Sequence, residues 1–405
     1  MTDDAAAVRA RADAALEAGK ALRARCLEDR AGWLVDTAGL LGGDSDLGRE
    51  ARQQLPEATG LSEEMVDWAL RTTFETIRND ALTRLAEEAR RASAPGATAH
   101  ELVSVVLAGN VFTASVRAVF VPLLLGSSVL VKASSRETRF PELLREALTS
   151  ANPTFGAAMQ VASFSGGAPE PERAMMERAG LVSVYGGDAA VEAVQRRAPG
   201  RVPVAPHGHG VSVAYCSKAS VEGARATAGA LALDVAAYDQ RGCLSPSIVY
   251  VEGEARVAEA FAETLSAALG GLERTLPRGP LPDAVASAQV QWRGLAMVDG
   301  MLLRGRTHAV AVRPLGPPRW SPGYRNVVLV AVRNLDEAFD AMQAYADHLK
   351  CIGCSGDVRP EIEDRLAQRP AWQAYPTPLG TMQTPALNAP QDGEPVWTGH
   401  LRSLP

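Results

Sequence analysis

The residue best placed to do chemistry is Cys243, in the run Asp239-Gln240-Arg241-Gly242-Cys243-Leu244-Ser245-Pro246-Ser247. A helix rich in small residues leads into Gly242, whose freedom permits a tight turn that presents the sulfur and the Cys243 amide, and a strand follows. Arg241 is placed to favour the thiolate. Free cysteines are also common core residues, so a buried structural thiol suits the same pattern equally well. Asn110, in Leu107-Ala108-Gly109-Asn110-Val111-Phe112, follows a strand and can aim its side-chain amide at a developing oxyanion, or serve only as a turn residue bonding its own backbone. Lys132, Ser134, Ser135 and Arg136 also follow a strand directly. They suit the ribose or phosphate of a nucleotide, with Arg136 adding charge for a 2′-phosphate, or else a solvated loop. Gly186 and Gly187 stand between a strand and a helix start, where backbone amides meet a pyrophosphate. The full G-x-G-x-x-G is missing there, and Asp188 would itself cap the helix.

Two further clusters point less clearly to chemistry. Cys351-x-x-Cys354 has no second cysteine or histidine pair at metal-ligand spacing, so no metal is expected. His207 and His209, in Pro206-His207-Gly208-His209-Gly210, suit acid–base work, a cofactor neighbour or a structural loop.

The elements that must position these residues change character along the chain. Residues 1–95 carry apolar positions at helical spacing, with a stop at Leu41-Gly42-Gly43-Asp44 and Ser62 as an N-cap. After Pro95, short β-branched runs at 102–107, 128–131, 159–162, 181–185 and 211–214 alternate with helical stretches at 115–125, 140–150, 171–178 and 188–197. That alternation predicts an open parallel sheet with ligands at the carboxyl ends of its strands. A second α/β unit follows, with helix 221–237, strand 248–251, helix 255–269, strands 309–312 and 326–332, and helix 336–348. The reading is therefore an α/β protein with a helical segment (1–95), a nucleotide-binding domain (96–215), a thiol-bearing catalytic domain (216–370) and an extended tail (371–405) packed on the body or on a neighbouring subunit.

Composition narrows the function classes. With 46% hydrophobic and 22% charged residues the chain reads as globular, and a net charge of −6 argues against a mainly electrostatic nucleic-acid binder. Five cysteines without framework spacing suit a reducing compartment. The amino terminus has no signal-like apolar core, and the apolar run 116–131 is interrupted by Arg117, Pro122 and Gly126, so a cytoplasmic protein without a membrane span is expected.

Taken together, Asn110, the 125–137 stretch from Leu125-Gly126 to Glu137, and above all Asp234-Val235-Ala236-Ala237-Tyr238-Asp239-Gln240-Arg241-Gly242-Cys243-Leu244-Ser245-Pro246 resemble the aldehyde dehydrogenase superfamily, and within it the LuxC-type acyl-CoA reductases. Thr59-Gly60-Leu61-Ser62 and Asp392-Gly393-Glu394-Pro395 extend the resemblance over nearly the whole chain. The resemblance implies an aldehyde dehydrogenase-like fold with two Rossmann-like parallel-sheet domains. It makes Cys243 the acyl-accepting nucleophile and Asn110, with the Cys243 amide, the oxyanion hole. It gives Lys132 and Ser134 to the adenosine ribose, and Gly186 and Gly187 to the pyrophosphate. Where hydrolytic relatives carry a general-base Glu, residues 207–210 offer no carboxylate, which favours reduction of the acyl-enzyme over its hydrolysis.

The implied activity is reduction of an acyl-CoA or acyl-carrier thioester to an aldehyde, with NADPH as cofactor and NADH as the alternative. An acyl-transferring protein partner and a homo-oligomer are further expectations. The alternatives are a non-acylating aldehyde or semialdehyde dehydrogenase and a catalytically silent partner-binding subunit. Before the C-terminal Asp-Gly this chain has Asn388-Ala389-Pro390-Gln391, where luminescence-related members carry an aromatic residue and a His, so acyl length stays open.

Overall fold

The computed structural model describes residues 2–402. Five helices come first: α1 (Ala5–Arg23), α2 (Leu27–Gly42), α3 (Asp46–Thr59), α4 (Glu63–Glu75) and α5 (Asn79–Ala92). Their boundaries are local chemistry. The glycine pair ends α2, Ser45 caps α3, and Ser62 Oγ accepts the Met65 amide at 3.2 Å to start α4, with Glu63 and Glu64 in the positive first turn. Leu34, Leu55, Met65 and Leu70 share one core with the sheet that follows.

After the short β1 (Thr98–Ala99), which lies outside it, that sheet is built from β2 (Leu102–Val106), α6 (Ala114–Leu125), β3 (Ser128–Lys132), α7 (Arg139–Ala151), α8 (Pro153–Ala157), β4 (Met159–Ala162), α9 (Pro169–Glu177), β5 (Leu181–Tyr185), α10 (Asp188–Arg197) and β6 (Val204–His207). Strands β2 to β6 run parallel in the order β4-β3-β2-β5-β6. The order reverses between β2 and β5, so the loops after those strands diverge and leave a crevice, and these are the loops that carry Asn110 and Gly186-Gly187.

One expected strand is placed differently. The fifth strand of this sheet is β6, and residues 211–214 belong instead to β7 (Val211–Cys216) of the second sheet. Pro206 lacks an N–H and is tolerated at a sheet edge, which is where β6 lies. The chain therefore crosses between sheets at residues 208–210, beside His207.

The second sheet receives α11 (Lys218–Glu222), α12 (Ala224–Ala236), β8 (Pro246–Glu252), α13 (Ala255–Leu272), α14 (Asp283–Asp299), β9 (Met301–Arg304), β10 (Ala309–Arg313), β11 (Asn326–Val332), β12 (Leu349–Cys354) and β13 (Tyr375–Pro378). Its order is β13-β12-β7-β8-β11-β10-β9, parallel except for β9. The sequence-based strands at 248–251, 309–312 and 326–332 are all present, whereas α14, β9 and β12 were not anticipated. Cys351 and Cys354 lie buried in β12. The helix expected at 336–348 is Leu335–Met342 followed by a 3-10 turn to His348. No helix among the described residues is long and apolar enough to cross a membrane.

The tail is ordered on the body of its own chain. β13 joins β12, and β14 (Leu401–Arg402) pairs antiparallel with β1, so the segment between them spans from one sheet to the other. Asp234 of α12 anchors its start, accepting the Gly380 amide at 2.6 Å and the Met382 amide at 2.9 Å. Burial pushes this carboxyl up from 3.8 to about 7 against the two amides, which favour the charged form. The fold thus binds a proton that the unfolded chain releases. The stabilisation from this group is complete below about 3.8 and is lost as pH rises through about 7. Asp234→Asn is expected to flatten that slope in urea titrations. It should also cost about 1–3 kcal/mol at acid pH by depriving one amide of its acceptor. An unchanged slope would contradict the assignment.

Candidate active site

Asn110, Lys132, Ser134, Arg136, Gly186, Gly187, His207, His209 and Cys243 all line one cleft of about 980 Å³, with walls from both sheets, α4, α6 and the tail. Cys351 and Cys354 lie outside it.

Cys243 reaches the cleft because α12 breaks at Ala236 and the next turn is contorted. Tyr238, Asp239 and Gln240 have φ of 50°, 52° and 58°, three successive non-glycine residues in the left-handed region. Each is held by its side chain. Asp239 Oδ1 takes Arg325 Nη2 at 2.8 Å and Nε at 3.1 Å, and its Oδ2 takes the Gly279 amide at 3.0 Å. Gln240 bridges Pro246 and Asn326 (3.0 and 2.8 Å), and Tyr238 shares a 2.7 Å hydroxyl hydrogen bond with Thr113. Arg241 does not serve the thiolate as its position in sequence led us to expect. Its guanidinium donates to Thr59 O at 2.8 Å and Tyr238 O at 3.2 Å, tying the turn to the helical segment. Ser212 Oγ donates to Cys243 O at 2.7 Å, leaving the thiol exposed while Cys216, Cys351 and Cys354 are buried.

Asn110 stands on a second rigid turn. Gly109 has φ 77°, and a Cβ there would collide with Ser134 Oγ. Ser134 donates to Ala108 O at 3.1 Å and receives the Arg136 amide at 3.3 Å, so its hydroxyl braces this turn. Arg136 Nη1 donates to Asn110 Oδ1 at 3.2 Å. Because a guanidinium only donates, the Asn110 oxygen must face it, which leaves the NH2 free as a donor. Lys132 is buried, with Nζ 3.2 Å from Ala133 O and 5.3 Å from the Phe164 ring centre. Burial lowers its pKa, and the Glu172 charge opposes that. Glu172 in turn pairs with Arg197, a cleft-lining cation not anticipated from sequence. Gly187 caps α10, and Asp188 turns its Oδ1 to the His209 amide at 2.9 Å.

The thiol sits in a mixed field. Desolvation of the sulfur within the cleft raises the Cys243 pKa and the Asp392 charge raises it further, while Lys350, its own amide and Arg117 lower it. Although residues 207–210 contain no acid, the tail brings one there: Asp392 Oδ2 meets His207 Nδ1 at 2.5 Å, and Asp392 also pairs with Lys350 of β12. Gly210 admits this lysine, since a Cβ would overlap the Lys350 stem. Tyr185 stacks on His207 with centroids 4.4 Å apart, and burial pushes its phenol up to about 12. Arg117 Nη2 donates to Ala386 O at 2.5 Å. The visible hint for Arg117 was a charge inside an apolar run; for Lys350 there was none.

Two parallel sheets facing a cleft, with a cysteine on one wall and a strand–glycine–helix turn on the other, define the aldehyde dehydrogenase fold. Solved structures agree in shape: an NAD-dependent benzaldehyde dehydrogenase from Corynebacterium glutamicum (TM-score 0.73, 15% identity, 96% of this chain and 88% of that one) and aldehyde dehydrogenase 21 from Physcomitrella patens (0.72, 18%, 94% and 83%). An NADP-dependent glyceraldehyde-3-phosphate dehydrogenase from Bacillus halodurans, solved with NADP, also matches (0.69, 15%, 93% and 84%). The model of the acyl-CoA reductase (LuxC) family matches residues 33–395, and the chain belongs to that family of aldehyde-forming oxidoreductases. No curated protein matches the chain.

The Arg325–Asp239 pair is 1% exposed on both sides, and Arg325 also meets Glu273 at 3.0 Å. Arg325→Met strands two carboxylates and is expected to cost about 3–5 kcal/mol in urea unfolding. It should also slow alkylation of Cys243. Stability within about 0.5 kcal/mol of the parent, the range of an ordinary surface substitution, would mean that the pair does not hold the turn.

Proposed function

We propose that the protein transfers the acyl group of a thioester to Cys243 and releases it as an aldehyde after reduction. The observation that carries this reading is the exposure of Cys243, alone among the four cysteines near the second sheet, in the cleft that holds the free Asn110 amide. Attack of the thiolate on the carbonyl forms the S–C bond and places negative charge on oxygen. The Asn110 NH2 and the Cys243 amide are the donors for that charge, and its collapse expels the carrier thiol.

The residues present fit a nicotinamide dinucleotide. Lys132 is a buried ammonium using one of three donors, and the first turn of α10 offers its amides because Asp188 faces away. Lys132 and Ser134 would hold the ribose, Gly186 and Gly187 the pyrophosphate, and Arg136 the charge of a 2′-phosphate. When bound in reduced form, this cofactor supplies the hydride. NADPH is the proposed form. In calorimetry NADPH is expected to bind more tightly than NADH, and Arg136→Ala should narrow the gap; tighter NADH binding would refute the 2′-phosphate role.

A second reading, hydrolytic aldehyde oxidation, is favoured by Asp392 beside His207. Intact-protein mass after mixing with acyl-CoAs separates the two. Cys243→Ala is expected to take up no acyl mass while Cys351→Ala and Cys354→Ala do, and Asn110→Ala should slow uptake by about 10²–10³. The adduct should persist without cofactor and discharge with NADPH. Rapid release of free acid without cofactor would establish the hydrolytic reading.

A further inference from the structure

We propose that His207, oriented by Asp392, is the acid–base group of the thiol exchange at Cys243, and that Asp392 and Lys350 are its positioning residues. The inference rests on the acyl-Cys243 reading and goes beyond it to name what moves the proton.

The geometry is that of a tautomer lock. Asp392 Oδ2 lies 2.5 Å from His207 Nδ1, so Nδ1 carries a proton and donates it there, and in the neutral ring the lone pair is on Nε2. Nε2 has no hydrogen-bond partner among the described residues, and the side chain is 20% exposed and lines the cleft with Cys243. Asp392 is kept available for this. Burial would raise its pKa, but the His207 hydrogen bond and the Lys350 ammonium outweigh burial and hold it below the usual carboxylate range. Tyr185 stacks on one ring face and fixes the imidazole plane. His400 of the tail also acts on the ring, and Arg117 and Cys243 line the same cleft. The placement is built by three distant segments: β6 supplies the histidine, β12 the lysine and the tail turn the aspartate, itself at φ 51°.

The chemistry has a need that this dyad fills. Desolvation inside the cleft and the Asp392 charge push the Cys243 thiol above its ordinary value, so its proton must leave as the S–C bond forms. His207 Nε2 takes that proton. When the tetrahedral adduct collapses, the bond from carbon to the carrier sulfur breaks, and the departing thiolate receives the same proton from Nε2. The products are acyl-Cys243, free carrier thiol and neutral His207; no redox change occurs in this half-reaction.

The test therefore omits the nicotinamide. Labelled CoA is exchanged into unlabelled acyl-CoA, with chain lengths from acetyl to palmitoyl, and the acyl mass on the protein is followed in parallel. His207→Ala is expected to lower exchange by about 10²–10⁴, with recovery on adding imidazole in proportion to its free base. Asp392→Asn is expected to lower exchange while shifting iodoacetamide alkylation of Cys243 to lower pH, because the charge that raises the thiol is gone. A merely structural role would depress both and would not respond to imidazole. Full exchange in His207→Ala, or loss without imidazole recovery, would overturn the proposal and leave acyl-Cys243 intact. Absence of both exchange and acyl mass in the parent protein would overturn the two together.

Discussion

A guanidinium only 1% exposed, that of Arg325, holds the segment ahead of Cys243 in a backbone conformation it would not adopt unaided. Three consecutive non-glycine residues with positive φ cost on the order of 1–3 kcal/mol each. The cost is borne only because Asp239, Gln240 and Tyr238 each spend their polar side chains on the surrounding frame. The turn points the thiol into the cleft instead of into the sheet where Cys351 lies. The same turn reaches back to α3 through Arg241 and to the second sheet through Asn326, so Cys243 is fixed to both.

The tail completes the cleft from the other side. It is anchored by Asp234 at its start, by Arg117 at Ala386, by His207 and Lys350 at Asp392, and by strand pairing at Leu401–Arg402. Between these anchors Gln383, Leu387 and Gln391 face the cleft. Its contribution is electrostatic as well as steric, since Asp392 bonds the imidazole and the β12 lysine while its charge acts on the thiol.

Much of this was legible in sequence for physical reasons. The strand–loop register at β2, β3 and β5 followed from β-branched runs ending in glycine or polar residues; the loops after β2 and β5 carry Asn110 and Gly186, and Lys132 closes β3. The Ser62 cap and the Gly42 stop were local signals and hold. What was not legible is long-range. Nothing around residue 392 says that its carboxylate will sit on His207, 185 positions earlier, and nothing around Arg241 says that it will face Thr59. Strand 211–214 was assigned to the wrong sheet because period-two patterning identifies a strand without naming its neighbour. Helix α14 was missed because its apolar side chains, Val290 and Val298 among them, are exposed and blur the amphipathic pattern.

The central claim is that this cleft makes an acyl-thioester on one particular cysteine. Peptide-level mass mapping after mixing the protein with a panel of acyl-CoAs, without nicotinamide and with an acid quench, tests it most directly. The account requires the acyl group on the peptide that contains Cys243 and on no other cysteine peptide, with the label lost on brief treatment with neutral hydroxylamine. An acyl group mapped to Cys351 or Cys354, or none on any peptide across the panel, would contradict it.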